Sequence, residues 1–219
     1  MVATFNARAR AAKLPPSTID AAVGDLFDKA DPSPAQFTGP EWNNFDLATV
    51  GFAFHHFEDV VYAAKSLKAR LRPGGALVIN DFLEGGDLKA DEDGEPIPGS
   101  EGNHAVHNHH HHHHGKHGDV EFGKEHGIHQ HGHHDHHGEK KGNDDDDPTL
   151  GVREHMKDAI VTPHFTVEHV RNFFIEAGFV DVDVITMKER VYMEFAGIKV
   201  WRTILFAKGR RPLEEKSEL

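Results

Sequence analysis

The side chains in this sequence best suited to chemistry are imidazoles. Six consecutive histidines, His109 to His114, lie within a stretch from His104 to His137 that holds 16 histidines in 34 residues. Neutral imidazole is a good ligand for Zn, Ni and Cu, and a flexible run binds such ions without a preformed cage. Adventitious Zn or Ni on this stretch is therefore expected. A specific metal centre needs fixed geometry and supporting partners around its ligands, and no metal ligand is assigned. A second, sparser set of histidines sits beside apolar runs: His55 and His56 in "FAFHHFED", and His164 in "TPHFTVEH". Histidine changes charge near neutral pH and so can accept or give a proton there. Asp25, directly after Gly24 in "VGDLF", offers a carboxylate at the end of an apolar run.

Composition narrows the chemistry further. The 219 residues carry 24 Lys and Arg against 36 Asp and Glu, a net charge of −12, which argues against a general nucleic-acid binder. Most of that charge falls between Glu84 and Pro148, where 16 acidic and 5 basic residues leave −11. The chain contains no cysteine, which excludes thiol nucleophiles, disulfides and thiolate metal sites and fits a cytoplasmic protein. No apolar run reaches the roughly 18 residues needed to span a bilayer, so no membrane partner is expected. The first residues, "MVATFNARARAAKLPP", are Arg-bearing and acid-free. They read either as an ordinary domain helix or as a faint imitation of a mitochondrial transit peptide.

The elements that would position these groups follow from periodicity. Residues 1–13 read as a helix stopped by Pro15 and Pro16. Residues 19–24 read as a short strand running into a loop at Gly24-Asp25. "FDLATVGFAF", 45–54, is nearly all apolar and suits a strand buried on both faces of a parallel sheet. Val60, Ala63, Ala64, Leu67 and Leu71 recur at helical spacing, with Pro73-Gly74-Gly75 as the stop. "ALVINDFLE" follows as a second strand, which completes a βαβ unit. Periodicity then disappears to Asp147, and the segment 84–148 is read as a disordered His/Asp-rich insertion. Thr166 is expected to cap a helix whose Val167, Val170, Phe173, Phe174 and Ala177 share a face, ending at Gly178. "VDVDVITM" alternates as a strand does. "VYMEFAGIKVWRTILFAKG" reads as a hairpin-like pair with Trp201 to Lys208 as its second arm. Residues 1–83 and 149–210 thus form one domain, and 211–219 a charged tail.

The combination "GDLFD", then "FDLATVGFAFHHFED", a helix, "LRPGG" and the strand "ALVINDFLE" resembles the second half of a class I S-adenosylmethionine-dependent methyltransferase. "HFTVEHVRNFFIEAGF" followed by two strands resembles the end of such domains, of the fungal type 11/12 kind. The resemblance implies an α/β fold, an incomplete Rossmann-like sheet holding strands 3, 4, 5, 6 and 7 of the family order 3-2-1-4-5-7-6. It implies S-adenosyl-L-methionine as cofactor and a small-molecule acceptor as partner. Carried over by position, Asp25 would accept from the adenine amino group. Leu26 would pack near the ring with its backbone N–H offered to a ring nitrogen. Gly51, Phe52 and Ala53 would line the methionine side, and His56 would face the same cleft. His164 would serve on the acceptor side as the catalytic base. Each residue also has a plain reading. Asp25 suits a turn, Phe52 and Phe54 suit core packing, His55 and His56 suit hydrogen-bonded core histidines, and His164 suits a surface position beside a helix cap.

The sequence departs from the family in lacking the glycine-rich "D-x-G-x-G-x-G" turn and the acidic residue that holds the ribose. In family terms "MVATFNARARAAKLPP" matches the helix after the second strand, so the chain is expected to begin at an internal methionine of a longer ancestor. Either the recorded chain is a mis-started fragment of an ordinary methyltransferase, or it is a degenerate, non-catalytic relative whose His-rich loop binds metal. Long loop insertions cost little closure entropy, so the histidine stretch is tolerable as an ornament. Without the glycine turn and its helix N-terminus, cofactor affinity should collapse. Isothermal titration of the 219-residue chain with S-adenosylmethionine is expected to show weak or no binding, and a micromolar dissociation constant would contradict this.

Overall fold

The computed structural model describes residues 1–104, 160–195 and 197–213, except the side chain of Phe195. The histidine run and the rest of the low-periodicity stretch beyond His104 lie outside the described residues, and with them the expectation of disorder there.

Helix α1 spans Val2–Ala11. Strand β1, Phe45–Gly51, leads through a short turn into α2, Val60–Arg70, and then into β2, Leu71–Phe82. The short β3, Leu88–Lys89, follows. After the undescribed residues come α3, Val167–Glu176, β4, Val180–Thr186, β5, Val191–Phe195, β6, Ile198–Arg202, and β7, Ile204–Arg210. The main sheet has the order β1-β2-β7-β4. β1 and β2 are parallel, joined by α2 as a βαβ crossover, and β7 runs antiparallel to both β2 and β4. That sequence of neighbours is the 4-5-7-6 side of the order implied by the resemblance.

Both long helices pack on one face of this sheet and on each other. β2 explains why. Leu77, Ile79 and Asp81 alternate along it and are all fully buried, while the residues between them are half-buried. Period 2 thus turns one face wholly to the helices. Phe173 and Phe174 of α3 fill the space above that face and are 2% and 0% exposed. The cap is the expected one: Oγ1 of Thr166 accepts from the backbone N–H of His169 at 2.9 Å, and Gly178 ends the helix at φ +81°. α2 is capped in the same manner by Asp59, whose Oδ1 accepts from the N–H of Tyr62 at 2.8 Å.

Several expectations need correction. Residues 19–24 form no strand. Their backbone is satisfied by side chains instead: Nδ2 of Asn6 donates to the carbonyl of Ala21, and the N–H of Ala21 donates to Oδ1 of Asn6, both at 2.8 Å. The β1 run is not buried on both faces. It is an edge strand, with Phe45 38% and Leu47 53% exposed. The stop "RPGG" follows the end of α2 at Arg70 but lies within β2, opposite a bulge that shifts the register between Phe45 and Leu47. A Cβ on Gly75 would come within 2.8 Å of the carbonyl oxygen of Phe45, so only glycine lets the two strands close up there. The arm from Trp201 to Lys208 is two strands, since the chain changes sheets at Thr203: β6 pairs with β3 and β5, and β7 joins the main sheet. The start of the expected tail is held, with the N–H of Arg211 donating to the carbonyl of Gly75 at 2.8 Å and its carbonyl accepting from the N–H of Gly74 at 2.9 Å.

The expectation of disorder from Glu84 onward also fails for residues 85–104. Residues 85–104 are ordered by backbone pairing, with Asp87 bridging Gly102 and Leu88 pairing with Trp201. Nε1 of Trp201 donates to the carbonyl of Gly94, and Oγ1 of Thr203 to that of Gly86, at 2.9 and 2.8 Å. Apolar periodicity does not register order made of backbone contacts. No helix among the described residues is long and apolar enough to cross a membrane.

The core and the cap carry different shares of stability. Phe174→Ala should cost about 4 kcal/mol as a deletion of a buried aromatic, and Thr166→Ala about 1 kcal/mol as a lost cap. Urea unfolding midpoints of the two variants check the ranking, and equal losses would contradict it.

Candidate functional site

β1 ends at Gly51, and its carboxyl end turns sharply. Phe52 has φ +51°, a left-handed backbone rare for a bulky residue, and its N–H donates to the carbonyl of Asn80 at 2.9 Å. Such strain persists only where the surroundings over-determine it, and it concentrates at functional positions. The ring of Phe52 stacks on Phe82 at 5.0 Å between centroids and remains 39% exposed. Ala53 follows, half-buried. Gly51 lies beside Asn80, where an added Cβ would meet its Oδ1 at 3.3 Å.

The turn then places His55 against Asp81 of β2. Asp81 is fully buried at the end of the inward-facing row. Its carboxylate accepts from the backbone N–H groups of Phe82 and His55, at 3.0 and 3.1 Å, and lies 2.8 Å from Nδ1 of His55. Nδ1–H is the donor in that arrangement, which leaves Nε2 of His55 as the nitrogen turned away from Asp81. The carbonyl of His55 in turn accepts from the N–H groups of Val161 and Thr162.

A second cluster adjoins the first. Nε2 of His164 lies 2.9 Å from Oδ2 of Asp87, and Nε of Arg202 donates to Oδ1 of Asp87 at 3.1 Å. The N–H of His104 also donates to Oδ2, at 3.2 Å. All three side chains are buried, Asp87 completely. Burial alone would raise the Asp87 carboxyl. The hydrogen bond from His164, with the charge and hydrogen bond of Arg202, outweighs it and holds the group below its ordinary 3.8. An ionised carboxylate only accepts, so Nε2 of His164 carries the proton. Burial draws Arg202 below the usual arginine value, against the pull of Asp87 in the other direction. The guanidinium carbon lies 3.3 Å from the centre of the Phe82 ring, a cation–π contact.

The sequence-expected residues outside the turn at Gly51, Phe52 and Ala53 fall mainly in two places, the cleft beside Asp25 and the Asp87 cluster, with Leu26 in a separate hollow. Asp25 and His56 line one cleft of about 490 Å³ with Phe57, Asp59 and Tyr62. Asp25 is also the turn residue of its plain reading, since its Oδ1 accepts from the N–H of Phe27 at 2.8 Å. Lys29 bridges to Asp59 at 2.7 Å and ties that loop to the α2 cap. Leu26 faces a neighbouring hollow of about 470 Å³ with Tyr62, Lys65 and Arg70, away from Asp25. His164 is not a surface histidine but a member of the buried Asp87 cluster. The two places connect through rings: His56 touches His55 at 4.1 Å, His55 touches Phe82 at 5.6 Å, and Phe82 carries Arg202.

Sequence reasoning passed over Asp81, Asp87 and Arg202. Two of them left a signal. Asp81 follows Leu77 and Ile79 at period 2, and Arg202 lies between Val200 and Ile204 at the same period, so each stands on a core-facing row. Asp87 is one of many acids in a low-periodicity stretch and left none. Among the described residues no group of three or more His, Asp or Glu side chains is placed to hold a metal ion. The histidine run is outside them.

No protein-family model matches the chain, and no curated protein matches it. Solved structures do resemble it. A candidate O-methyltransferase from Nostoc punctiforme is 13% identical, with a TM-score of 0.41 over 92% of this chain and 40% of its own. An O-methyltransferase family protein from Burkholderia thailandensis is 12% identical, with a TM-score of 0.42 over 96% and 41%. An S-adenosylmethionine-dependent methyltransferase from Thermotoga maritima is 12% identical, with a TM-score of 0.40 over 92% and 69%. The chain therefore spans about two fifths of the first two. Likenesses this distant leave function to the geometry of the chain itself.

Asp87 links the cluster to pH. Its folded value lies below its unfolded one, so its stabilisation is complete above the unfolded value and is lost as pH falls through the folded one. Asp87→Asn should be less stable at pH 7 and should lack part of the loss that the native chain suffers below about pH 4. Urea midpoints measured against pH check this, and parallel curves for the two proteins would contradict it.

Proposed function

We propose that this chain belongs to an S-adenosylmethionine-dependent methyltransferase acting on a small-molecule acceptor. The observation that carries the reading is the strand order β1-β2-β7-β4, with the strained turn at Phe52 and both histidine clusters at the carboxyl ends of the parallel pair. Ligands of open α/β sheets bind outside those ends.

The residues present fit the nucleoside end of the cofactor. Oδ1 of Asp25 is occupied by its own turn, and the cleft beside it supplies the space; its second oxygen would accept from the adenine amino group. Leu26, which lines the other hollow, would contribute its backbone N–H. Gly51, Phe52 and Ala53 would line the methionine side, with His56 closing the cleft. The sequence contains no glycine turn for the methionine carboxylate, so the fit is to one end only. The cofactor's sulfonium, when bound, supplies a methyl group already activated for in-line attack. What the chain adds is alignment, exclusion of water and custody of a proton.

His164 belongs to the acceptor side in this reading, but its Nε2 is committed to Asp87. It acts by holding Asp87 and hence Arg202. His55, oriented by Asp81 through Nδ1, would present Nε2 and is better placed to take a proton from an acceptor. The metal-binding alternative draws on residues outside those described, and no observation favours it.

S-adenosylhomocysteine titrated into the ¹⁵N-labelled chain is expected to perturb the amides of 25–27 and 51–56 with an affinity of roughly millimolar order. His56→Ala should weaken the effect. Perturbations confined to other residues would sink the cofactor assignment.

A further inference from the structure

The hollow of about 470 Å³ that Leu26 lines has no part in the methyl transfer proposed above. One wall is α2, where Tyr62, Lys65, Ser66, Ala69 and Arg70 recur at helical spacing and so share a face. Ala63 and Ala64 of the same helix are buried in the core, which leaves this face free of packing duty. The other wall is the segment from Leu26 to Asn43, which contributes Ser33 and Thr38. That segment is tied to α2 twice. Lys29 bridges to Asp59 at the helix start, and Nη1 of Arg70 donates to the carbonyl of Phe37 at its end. The hollow is the space left between the two ties.

Its charge is unlike that of the chain as a whole. The protein carries 36 acidic against 24 basic side chains, yet none of the described residues lining the hollow is acidic and two are cations. Cations nearby are neutralised, Lys29 by Asp59 and Arg72 by Asp46. Lys65 and Arg70 form no salt bridge among the described residues. Two uncompensated cations in one recess attract an anion. A lysine ammonium is a point charge suited to phosphate, and the hydroxyls of Ser33, Ser66 and Tyr62 can each donate to it. A phosphomonoester brings three acceptor oxygens and nearly two negative charges, where a carboxylate brings two oxygens and one charge. Leu26, Pro32 and the ring of Tyr62 add apolar lining, which suits an organic group attached to the anion.

We propose that this hollow binds a small-molecule phosphomonoester, with Lys65 and Ser66 receiving the phosphate. S-adenosylmethionine carries no phosphate, so this ligand is not the cofactor, and the proposal stands or falls independently of the cofactor assignment.

The probes are phenyl phosphate, benzoate and inorganic phosphate, titrated into the ¹⁵N-labelled 219-residue chain while the amides of Ser33, Thr38, Lys65 and Ser66 are followed. At pH 8 the histidines are largely uncharged and do not draw the anion elsewhere. Expected is phenyl phosphate binding at least about ten-fold tighter than either of the others, with shifts at those amides. Lys65→Gln should weaken phenyl phosphate about ten-fold, and Ser66→Ala by a smaller factor. Lys65 is exposed, so its replacement should leave the fold intact, which the amide spectrum checks. Should that variant fail to fold, the ranking and the shifts in the native chain decide alone. Benzoate binding as tightly, inorganic phosphate binding as tightly (an adventitious ion only), no binding of phenyl phosphate, shifts confined to other residues, or undiminished affinity in a folded Lys65→Gln would each overturn the proposal.

Discussion

Asp81 stands fully buried on the same face of β2 as Leu77 and Ile79, and a carboxylate there must be satisfied where it stands. A charge on a core-facing row is costly unless every lone pair finds a donor. The chain meets this with two backbone N–H groups and the Nδ1 of His55. That requirement bends the segment after β1 back over the strand end, which brings Phe52 into its left-handed conformation and sets the aromatic stack on Phe82. The histidine pair and the Asp25 cleft then follow from where this turn has to lie.

Arg202 and Asp87 repeat the pattern from the other side of Phe82. Here the charged pair is made by elements far apart in the chain, Asp87 in the segment after β2 and Arg202 at the end of β6. The pairing holds residues 85–104 against the small sheet, and His164 locks it just before the α3 cap. Two carboxylates, two histidines and one guanidinium thereby occupy a compact region around a single phenylalanine. The dielectric there is low, so an uncompensated charge would weigh heavily.

The main sheet gives this cluster a rigid floor. Parallel pairing of β1 and β2 forces the crossover through α2, and α2 with α3 seals the face that carries Asp81. The other consequence is the exposed edge of β1, where Phe45 and Leu47 meet solvent. The strand that would suit that position in a larger sheet is not among the described residues.

Much of the scaffold was legible in the order of residues. Helical spacing placed α2 and α3, Thr166 and Gly178 marked the ends of α3, and alternation placed β4, because these signals are local and depend on neighbours within one or two turns. The apolar run before "FAFHHFED" marked the end of β1 for the same reason, whereas "GDLF" follows no strand. The strand expected at 19–24 failed because side chains elsewhere in the sequence, Asn6 at Ala21, Arg10 at Ile19 and Gln36 at Val23, took backbone hydrogen bonds there. The order of 85–104 was hidden because it comes from pairing with β6, more than a hundred residues on. Only the tertiary structure decided that Asp87, His164 and Arg202 meet, since their sequence separations of 77 and 115 leave no local trace. The sequence by itself determined which residues could be basic, apolar or capped; folding determined which of them share a low-dielectric space, because that depends on distances no linear pattern encodes.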